Sequence, residues 1–312
     1  MVVIEYENHI DQQNRIVFIF GNGLVGSAIT LSLGTYSPTN TQSFKIDWSD
    51  FNLLKIQILN CFKSIKTCNI NQIDWVWSAG KSGFFSTKDQ TNEEYVFFKQ
   101  FVDFICEENR DCFFEIPSYF HLISSAGGLF EGQINISSDS IVTPLRPYGE
   151  LKLLQEKLIE SHFPNSNIIY RLSSVFGVSL NNQRVGLISA LIQNTLNCRM
   201  TSIQGVYDTK RDYVWVEDVA FFIADKIISG NLKTDSSIFL LASGKPTTIF
   251  EIIELIQKIT NNKVLCNFDS TFQNSKQIVF LSNTIPENFR RTSIETSIRK
   301  IYLQTLMSHV YR

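Results

Sequence analysis

Apolar positions along this chain come in blocks whose spacing switches between that of strands and that of helices. Residues 15–20 (RIVFIF) form a continuous apolar run that ends at Gly21. Such a run suits the middle of a parallel sheet covered on both faces. A helical pattern follows over 24–33, then a short strand over 43–48 and a helical stretch over 51–65. Residues 74–78 (DWVWS) predict a third strand and 93–108 a long helix with an aromatic face. The end of a fourth strand follows at 121–124, another helix at 151–162 and a fifth strand at 167–172. Strands alternating with helices predict an α/β chain built on a doubly wound parallel sheet.

Beyond Gly177 the pattern loosens. Residues 187–196 and 216–228 read as helices on either side of a loop-rich 201–213. Thr248–Glu251 is a capping-box sequence opening a helix to about 259, and 294–307 reads as a closing amphipathic helix. With 312 residues, 44% of them hydrophobic and 19% charged, the chain has the balance of a globular protein with a large core. A formal net charge of −2 offers no basic field for nucleic acid, so an acidic ligand must be held by a few local arginines. The opening MVVIEYENHI lacks the features of a signal peptide, and no apolar run is long enough to span a bilayer. Six cysteines and four histidines are scattered without ligand spacing. That predicts no metal site, and reduced thiols in a cytoplasmic protein.

Gly21-Asn22-Gly23-Leu24-Val25-Gly26 is a G-x-G-x-x-G placed between a predicted strand and a predicted helix. Glycines let the turn bend and let backbone N–H groups approach a pyrophosphate, while the helix N-terminus favours negative charge. In that context the loop predicts a Rossmann-type dinucleotide site. Asp47 lies 21 positions after Gly26, at the end of the next predicted strand. A carboxylate there accepts bonds from the adenosine ribose hydroxyls and repels a 2′-phosphate, which favours NAD over NADP. The plainer alternative is a helix-initiating aspartate, a part that Asp50 could also take.

Tyr148 and Lys152 are four residues apart at a helix start, so their side chains share one face. An ammonium beside a phenol favours the phenolate, which makes tyrosine a usable base. Ser124-Ser125-Ala126-Gly127-Gly128 lies at the C-terminal end of a predicted strand, where open α/β sheets bind ligands. A serine hydroxyl, a phenol and an ammonium at one sheet edge form a proton-transfer set suited to alcohol/ketone chemistry.

These segments resemble the extended short-chain dehydrogenase/reductase superfamily, and within it the nucleotide-sugar epimerases, dehydratases and reductases. Arg171–Gly177 resembles the group's R-x-x-N-V-Y-G segment, and Arg211–Ala220 its R-D-[FY]-[IV]-x-V-x-D-[VL]-A segment. Leu241–Gly244 and Thr292–Glu295 also fit, so ordered likenesses run from about residue 15 to 305. The resemblance implies a Rossmann domain over 1–178, to which 211–242 returns, and a smaller mixed C-terminal substrate lobe from 179–210 and 243–312. Tyr148 would be the acid/base, and Lys152 would hold the nicotinamide ribose. Ser125 would bind the reacting oxygen, with Ser124 the alternative. Ala79 and Gly80 would join the Gly21–Gly26 loop, Tyr148 and Lys152 around NAD. Ser124, Ser174 and Arg211 would meet a nucleotide-sugar substrate, Arg211 at its diphosphate. Helix 93–108 and the Tyr148 helix would build a homodimer, and the aromatic load of Tyr95, Phe97, Phe98, Phe101 and Phe104 points the same way.

The chain departs from the pattern in places. Phe20 replaces the first glycine of the family loop, and one strand stands where two are usual before DWVWS. Ser174 replaces the common Asn, and a second phosphate-binding arginine late in the chain is hard to place, with Arg290 and Arg291 as candidates. Three functions follow. An epimerase would oxidise a sugar hydroxyl transiently and keep its NAD, a 4-keto reductase would consume NADPH, and a catalytically silent relative would only bind dinucleotide. A 4,6-dehydratase is disfavoured, because Ala126-Gly127 follow Ser125 where that reaction needs an acidic pair.

Overall fold

The computed structural model describes residues 1–6, 14–65, 70–111, 113, 116–137, 139–178, 186–204, 206–229, 237–269 and 277–310. Its main sheet grows from the RIVFIF run, which is β2 (Asn14–Phe20). Parallel to it on one side lie β4 (Ile70–Trp77), β5 (Ser118–Ser125), β6 (Asn167–Leu172) and β10 (Ser237–Leu241). On the other side come β1 (Val2–Tyr6), antiparallel, and then β3 (Asn40–Ser43), giving the order β10-β6-β5-β4-β2-β1-β3.

This corner differs from the sequence reading. The chain start predicted no strand, yet VVIEY pairs along its length with β2 and over Val2–Glu5 with β3. The second strand is Asn40–Ser43 rather than 43–48. Its polar sequence is tolerated because it sits at an edge, whereas the Phe44, Ile46, Trp48 alternation belongs to an irregular segment. There Ile46 is buried and Trp48 packs edge-on against Trp77 at 5.9 Å.

One face of the sheet is covered by α1 (Leu24–Gly34) and α7 (Val216–Ser229), which pack together. The other is covered by α2 (Phe51–Ser64), α3 (Lys88–Asp111) and α5 (Pro147–His162). That second layer is aromatic: Phe18 stacks on Trp75 at 4.5 Å, and Phe101 contacts Phe20 and Trp77 at 4.6 and 4.5 Å. Phe98, Phe101 and Phe104 are thereby buried in the monomer, leaving Val96 and Leu154 as the exposed large apolar residues of α3 and α5. The aromatic load of α3 is used inside the chain.

Asp50, not Asp47, caps α2, accepting the N–H groups of Asn52 and Leu53. The predicted capping box opens α8 (Ile249–Thr260) through Thr248 and Glu251. The loop-rich reading of 201–213 is replaced by two strands. β8 (Thr201–Gln204) pairs with β12 (Cys266–Asp269), and β9 (Lys210–Trp215) lies between β7 (Ser174–Phe176) and β11 (Pro246–Thr248). With α6 (Leu187–Leu196), α8 and α9 (Ile294–Val310) these strands enclose a separate apolar core. No helix among the described residues is long and apolar enough to cross a membrane.

Candidate active site

At the C-terminal ends of β2 and β4 the glycines do different work. Gly21 has φ +101°, a left-handed value, and a Cβ there would lie 2.6 Å from the Ser78 carbonyl carbon. A Cβ on Gly26 would overlap the Gly21 carbonyl oxygen and the Ser78 hydroxyl, so this glycine lets α1 press onto the turn. Ser78 Oγ donates to the carbonyls of Phe20 and Gly21 at 2.9 and 3.0 Å, which fixes the loop to β4. Gly23 meets nothing within 4 Å and faces open space. It caps α1 without a side chain, and the first turn beginning Leu24-Val25 holds no acidic residue. The N–H groups of that turn are left for an anion, so the loop, with exposed Asn22, fits a dinucleotide pyrophosphate. Ala79 and Gly80 leave β4 beside Gly21, and Glu94 anchors the next turn by accepting Lys81 and Ser82 N–H at 2.7 and 2.6 Å.

Asp47 lies in the irregular segment after β3, exposed. Its carboxylate accepts the Ser49 hydroxyl and N–H at 2.5 and 2.9 Å, and these bonds hold its pKa below the ordinary range. Lys45 and Lys81 act on it electrostatically in the same direction.

Ser125 ends β5 and caps α4 (Ala126–Leu129), accepting Gly128 N–H at 3.1 Å. α4 reaches α5 through glycine on glycine. A Cβ on Gly149 would overlap the Gly128 carbonyl oxygen, and one on Gly128 would lie 3.2 Å from Tyr148 Cδ1. Two backbones in contact thus set the Ser125 turn against the half-buried Tyr148 ring. Lys152, one turn along, is buried, donates to Gln155 Oε1 at 3.0 Å and to the Ile123 carbonyl at 3.3 Å, and sits 5.9 Å from the Tyr148 ring centroid. Ser124 goes elsewhere than expected. Its buried hydroxyl donates to Glu156 at 2.5 Å, and Glu156 is held by Arg171 at 2.7 Å. It braces α5 on β5 and β6, and Ser125 is the serine that caps the α4 turn packed on α5.

Arg211, on β9, is not paired with Asp212 or Asp218. Asp212 is buried and accepts Ser173 Oγ at 3.0 Å and the N–H groups of Ser243 and Gly244, both at 2.7 Å. Asp218 accepts Thr292 N–H and hydroxyl at 2.6 and 2.8 Å and pairs with Arg290 at 3.3 Å. Four separate sequence motifs therefore meet at two carboxylates. Arg290 is committed there, and Arg291 Nη1 approaches Gly244. The Arg211 guanidinium lies over Phe84 at 5.0 Å. Burial is the main force lowering its pKa; Arg146 acts likewise, and Tyr213 and Glu131 oppose it. Ser174 pairs with Tyr213 in β7–β9, near Arg211. Phe84, Arg146 and Glu131 were missed by sequence reasoning, although a charged residue two places before Tyr148 was a visible signal.

The sequence profile of the NAD dependent epimerase/dehydratase family matches residues 21–225. The chain belongs to that family. Its defining NAD dependence agrees with the cofactor expected from the glycine loop. No curated protein matches the chain significantly. Among solved structures it resembles the UDP-glucose 4-epimerase of Thermus thermophilus in complex with NAD, at 14% identity and a TM-score of 0.73, over 94% of this chain and 99% of that one. It also resembles MoeE5 in complex with UDP-glucose and NAD (18%, 0.70, 93% and 97%). A third is the UDP-glucuronic acid 4-epimerase of Bacillus cereus with UDP-glucuronic acid and NAD (17%, 0.68, 92% and 97%). At these identities the likeness is one of fold, and it spans the main sheet and the smaller lobe alike.

Proposed function

We propose that this family member is a nucleotide-sugar epimerase that works by transient oxidation of a sugar hydroxyl. One observation carries the reading: the glycine contact between α5 and α4, the turn that Ser125 caps, close to the Tyr148 ring, with Lys152 one turn away. Residues Gly21–Gly26, Asp47, Ala79, Gly80 and Lys152 would hold NAD, which when bound supplies a reversible hydride acceptor. Tyr148 takes the proton of the substrate hydroxyl and later returns it. Ser125, fixed as the α4 cap, donates a hydrogen bond to the same oxygen. Lys152 lends positive charge to the phenolate. Arg211 holds the diphosphate with a planar fork while the sugar presents its other face, and Ser174 lines the substrate side.

The fold of nucleotide-sugar epimerases across the whole chain supports a UDP-hexose as substrate. The thiols of Cys61, Cys198 and Cys266, which form no disulfide, suit a reducing compartment, and we place the enzyme in the cytoplasm. A homodimer through the outer faces of α3 and α5, around Val96 and Leu154, completes the reading; a monomer mass by light scattering at micromolar concentration refutes that part.

The test is to denature freshly purified protein and identify the released dinucleotide, then supply UDP-hexoses without added cofactor. Released NAD and interconversion of C4 epimers is the expected result. Turnover only with NADPH and a 4-keto sugar establishes a reductase instead. Dinucleotide binding without turnover of any sugar nucleotide establishes a silent relative.

A further inference from the structure

On the face of α5 that carries Tyr148 and Lys152 lies a polar side chain to which the proposed mechanism gives no part. Gln155 stands three residues after Lys152 and seven after Tyr148, so all three share one stripe of the helix. Gln155 is wholly buried, and Leu151, Leu158 and Ile159, also buried on this helix, are apolar. Its Oε1 accepts a hydrogen bond from Lys152 Nζ at 3.0 Å, while its Nε2 has no hydrogen-bond partner among the described residues. A buried amide nitrogen without a partner is costly, and native chains seldom keep one without a reason. A methionine would fill the same space without that cost. Packing therefore does not explain a glutamine here, whereas the bond to Lys152 does.

The lysine is the flexible member of the pair. Its four-carbon stem has many rotamers, and its ammonium carries three donors. Two are held by acceptors from different elements, the Ile123 carbonyl of β5 at 3.3 Å and Gln155 of α5 at 3.0 Å. Two fixed acceptors set the direction of the third donor and the place of the charge, 5.9 Å from the Tyr148 ring centroid. An amide oxygen holds the ammonium without neutralising it, so the charge still acts on a phenolate. The acids around α5 have other partners: Glu156 is bonded to Arg171 and Ser124, Glu131 to Arg146, and Asp103 of α3 to Lys99 and His162. Glu150 is exposed.

We propose that Gln155 is a positioning residue for Lys152, fixing its third donor for the nicotinamide ribose and keeping its charge without a counter-ion beside Tyr148. This rests on the roles proposed for Lys152 and Tyr148.

Wild type, Gln155→Met, Gln155→Glu and Lys152→Ala test it, through thermal melting, NAD affinity by calorimetry, and UDP-hexose interconversion across pH. Gln155→Met keeps the packing and removes the acceptor. Its melting temperature should stay close to that of wild type, because the unpartnered nitrogen goes with the lost bond. NAD binding should weaken about threefold to tenfold and kcat fall about tenfold or more, with KM for the sugar nucleotide little changed. Gln155→Glu keeps an acceptor but gives the ammonium a counter-charge, which raises the proton affinity of the phenol. The acid limb of its turnover profile should move to higher pH by about one unit or more, with NAD bound more tightly than by Gln155→Met. Wild-type NAD affinity and kcat in a folded Gln155→Met, or an unmoved profile in Gln155→Glu, overturns the proposal. If Gln155→Met loses its fold, the Gln155→Glu profile decides alone. In either case a loss of NAD affinity and turnover in Lys152→Ala upholds the role of the lysine. If Lys152→Ala keeps both, or wild type shows neither, that role falls and the positioning of Lys152 with it.

Discussion

Gly149→Ala is a one-methyl change whose consequences can be worked out from the helix contact it disturbs. The new Cβ would overlap the Gly128 carbonyl oxygen and lie 2.8 Å from Pro144 Cβ and 2.9 Å from the Gly128 carbonyl carbon. Carbon atoms pack comfortably at about 3.5–4.0 Å, so α4 and α5 must part by on the order of 1 Å. Two of the three clashing atoms are backbone and cannot rotate away. Overpacking of this sort costs about 1–3 kcal/mol. Alanine's helix propensity returns up to about 1 kcal/mol, which leaves a modest net destabilisation. The effect on catalysis is larger, because the same contact sets Ser125 against Tyr148. A displacement of about 1 Å in such a constellation costs roughly 10²-fold in turnover. Thermal unfolding should therefore show a drop of a few degrees, and the sugar-nucleotide assay a loss of about 10²-fold, with NAD affinity little changed. Gly34→Ala is the control: no atom lies within 4 Å of that Cβ, and the variant should be neutral or more stable by up to about 1 kcal/mol. Wild-type turnover and melting temperature in Gly149→Ala would refute the account of how the site is assembled.

Three further outcomes follow from other parts of the chain. Asp47→Ala should narrow the preference for NAD over NADP, measured by titrating both cofactors into both proteins; an unchanged ratio removes Asp47 from the ribose site. Asp74 is buried beneath Arg15 at 3.4 Å and His121 at 3.1 Å, with Tyr170 bonded to the other His121 nitrogen at 3.0 Å, so Asp74→Ala should cost about 3–5 kcal/mol in chemical denaturation, and a loss under 1 kcal/mol would contradict the network. Thr248→Ala should cost about 1 kcal/mol by removing the α8 cap. Glu251 is held below its ordinary 4.5 by the Thr248 N–H and hydroxyl, so the cap's contribution is present above that pH and fades as pH falls further; a difference between Thr248→Ala and wild type that persists undiminished in acid would be the wrong sign.

The local features of the candidate site were legible in the sequence. The glycine loop, the Tyr148–Lys152 spacing and the Thr248 cap each depend on residues a few positions apart. What escaped depended on partners far away. β1 was passed over because its five residues carry meaning only once β2 and β3 lie on either side. Residues 43–48 alternate like a strand because Ile46 and Trp48 face the aromatic layer, yet β3 ends at Ser43 and the sheet bonding stops at Phe44, which is bonded to Met1. The aromatic residues of α3 suggested a partner surface, whereas Phe20 and Trp77 meet Phe101 inside the chain. Ser124 and Ser125 were indistinguishable by motif; Glu156, 32 residues on, separates them. Arg146 and Arg211, far apart in sequence, both lie over Phe84, which comes from a third segment.

The central claim is that Tyr148 moves the proton of the reacting hydroxyl. Tyr148→Phe keeps the ring that packs on Gly128 and removes only the phenolic oxygen. General acid–base catalysis contributes about 10²–10⁴-fold. Initial rates of UDP-hexose interconversion for wild type and Tyr148→Phe, with NAD and UDP binding measured on the same samples, decide the matter. The account predicts a fall of that order with both affinities retained. Turnover within threefold of wild type would leave Tyr148 as a packing residue and the mechanism without its base.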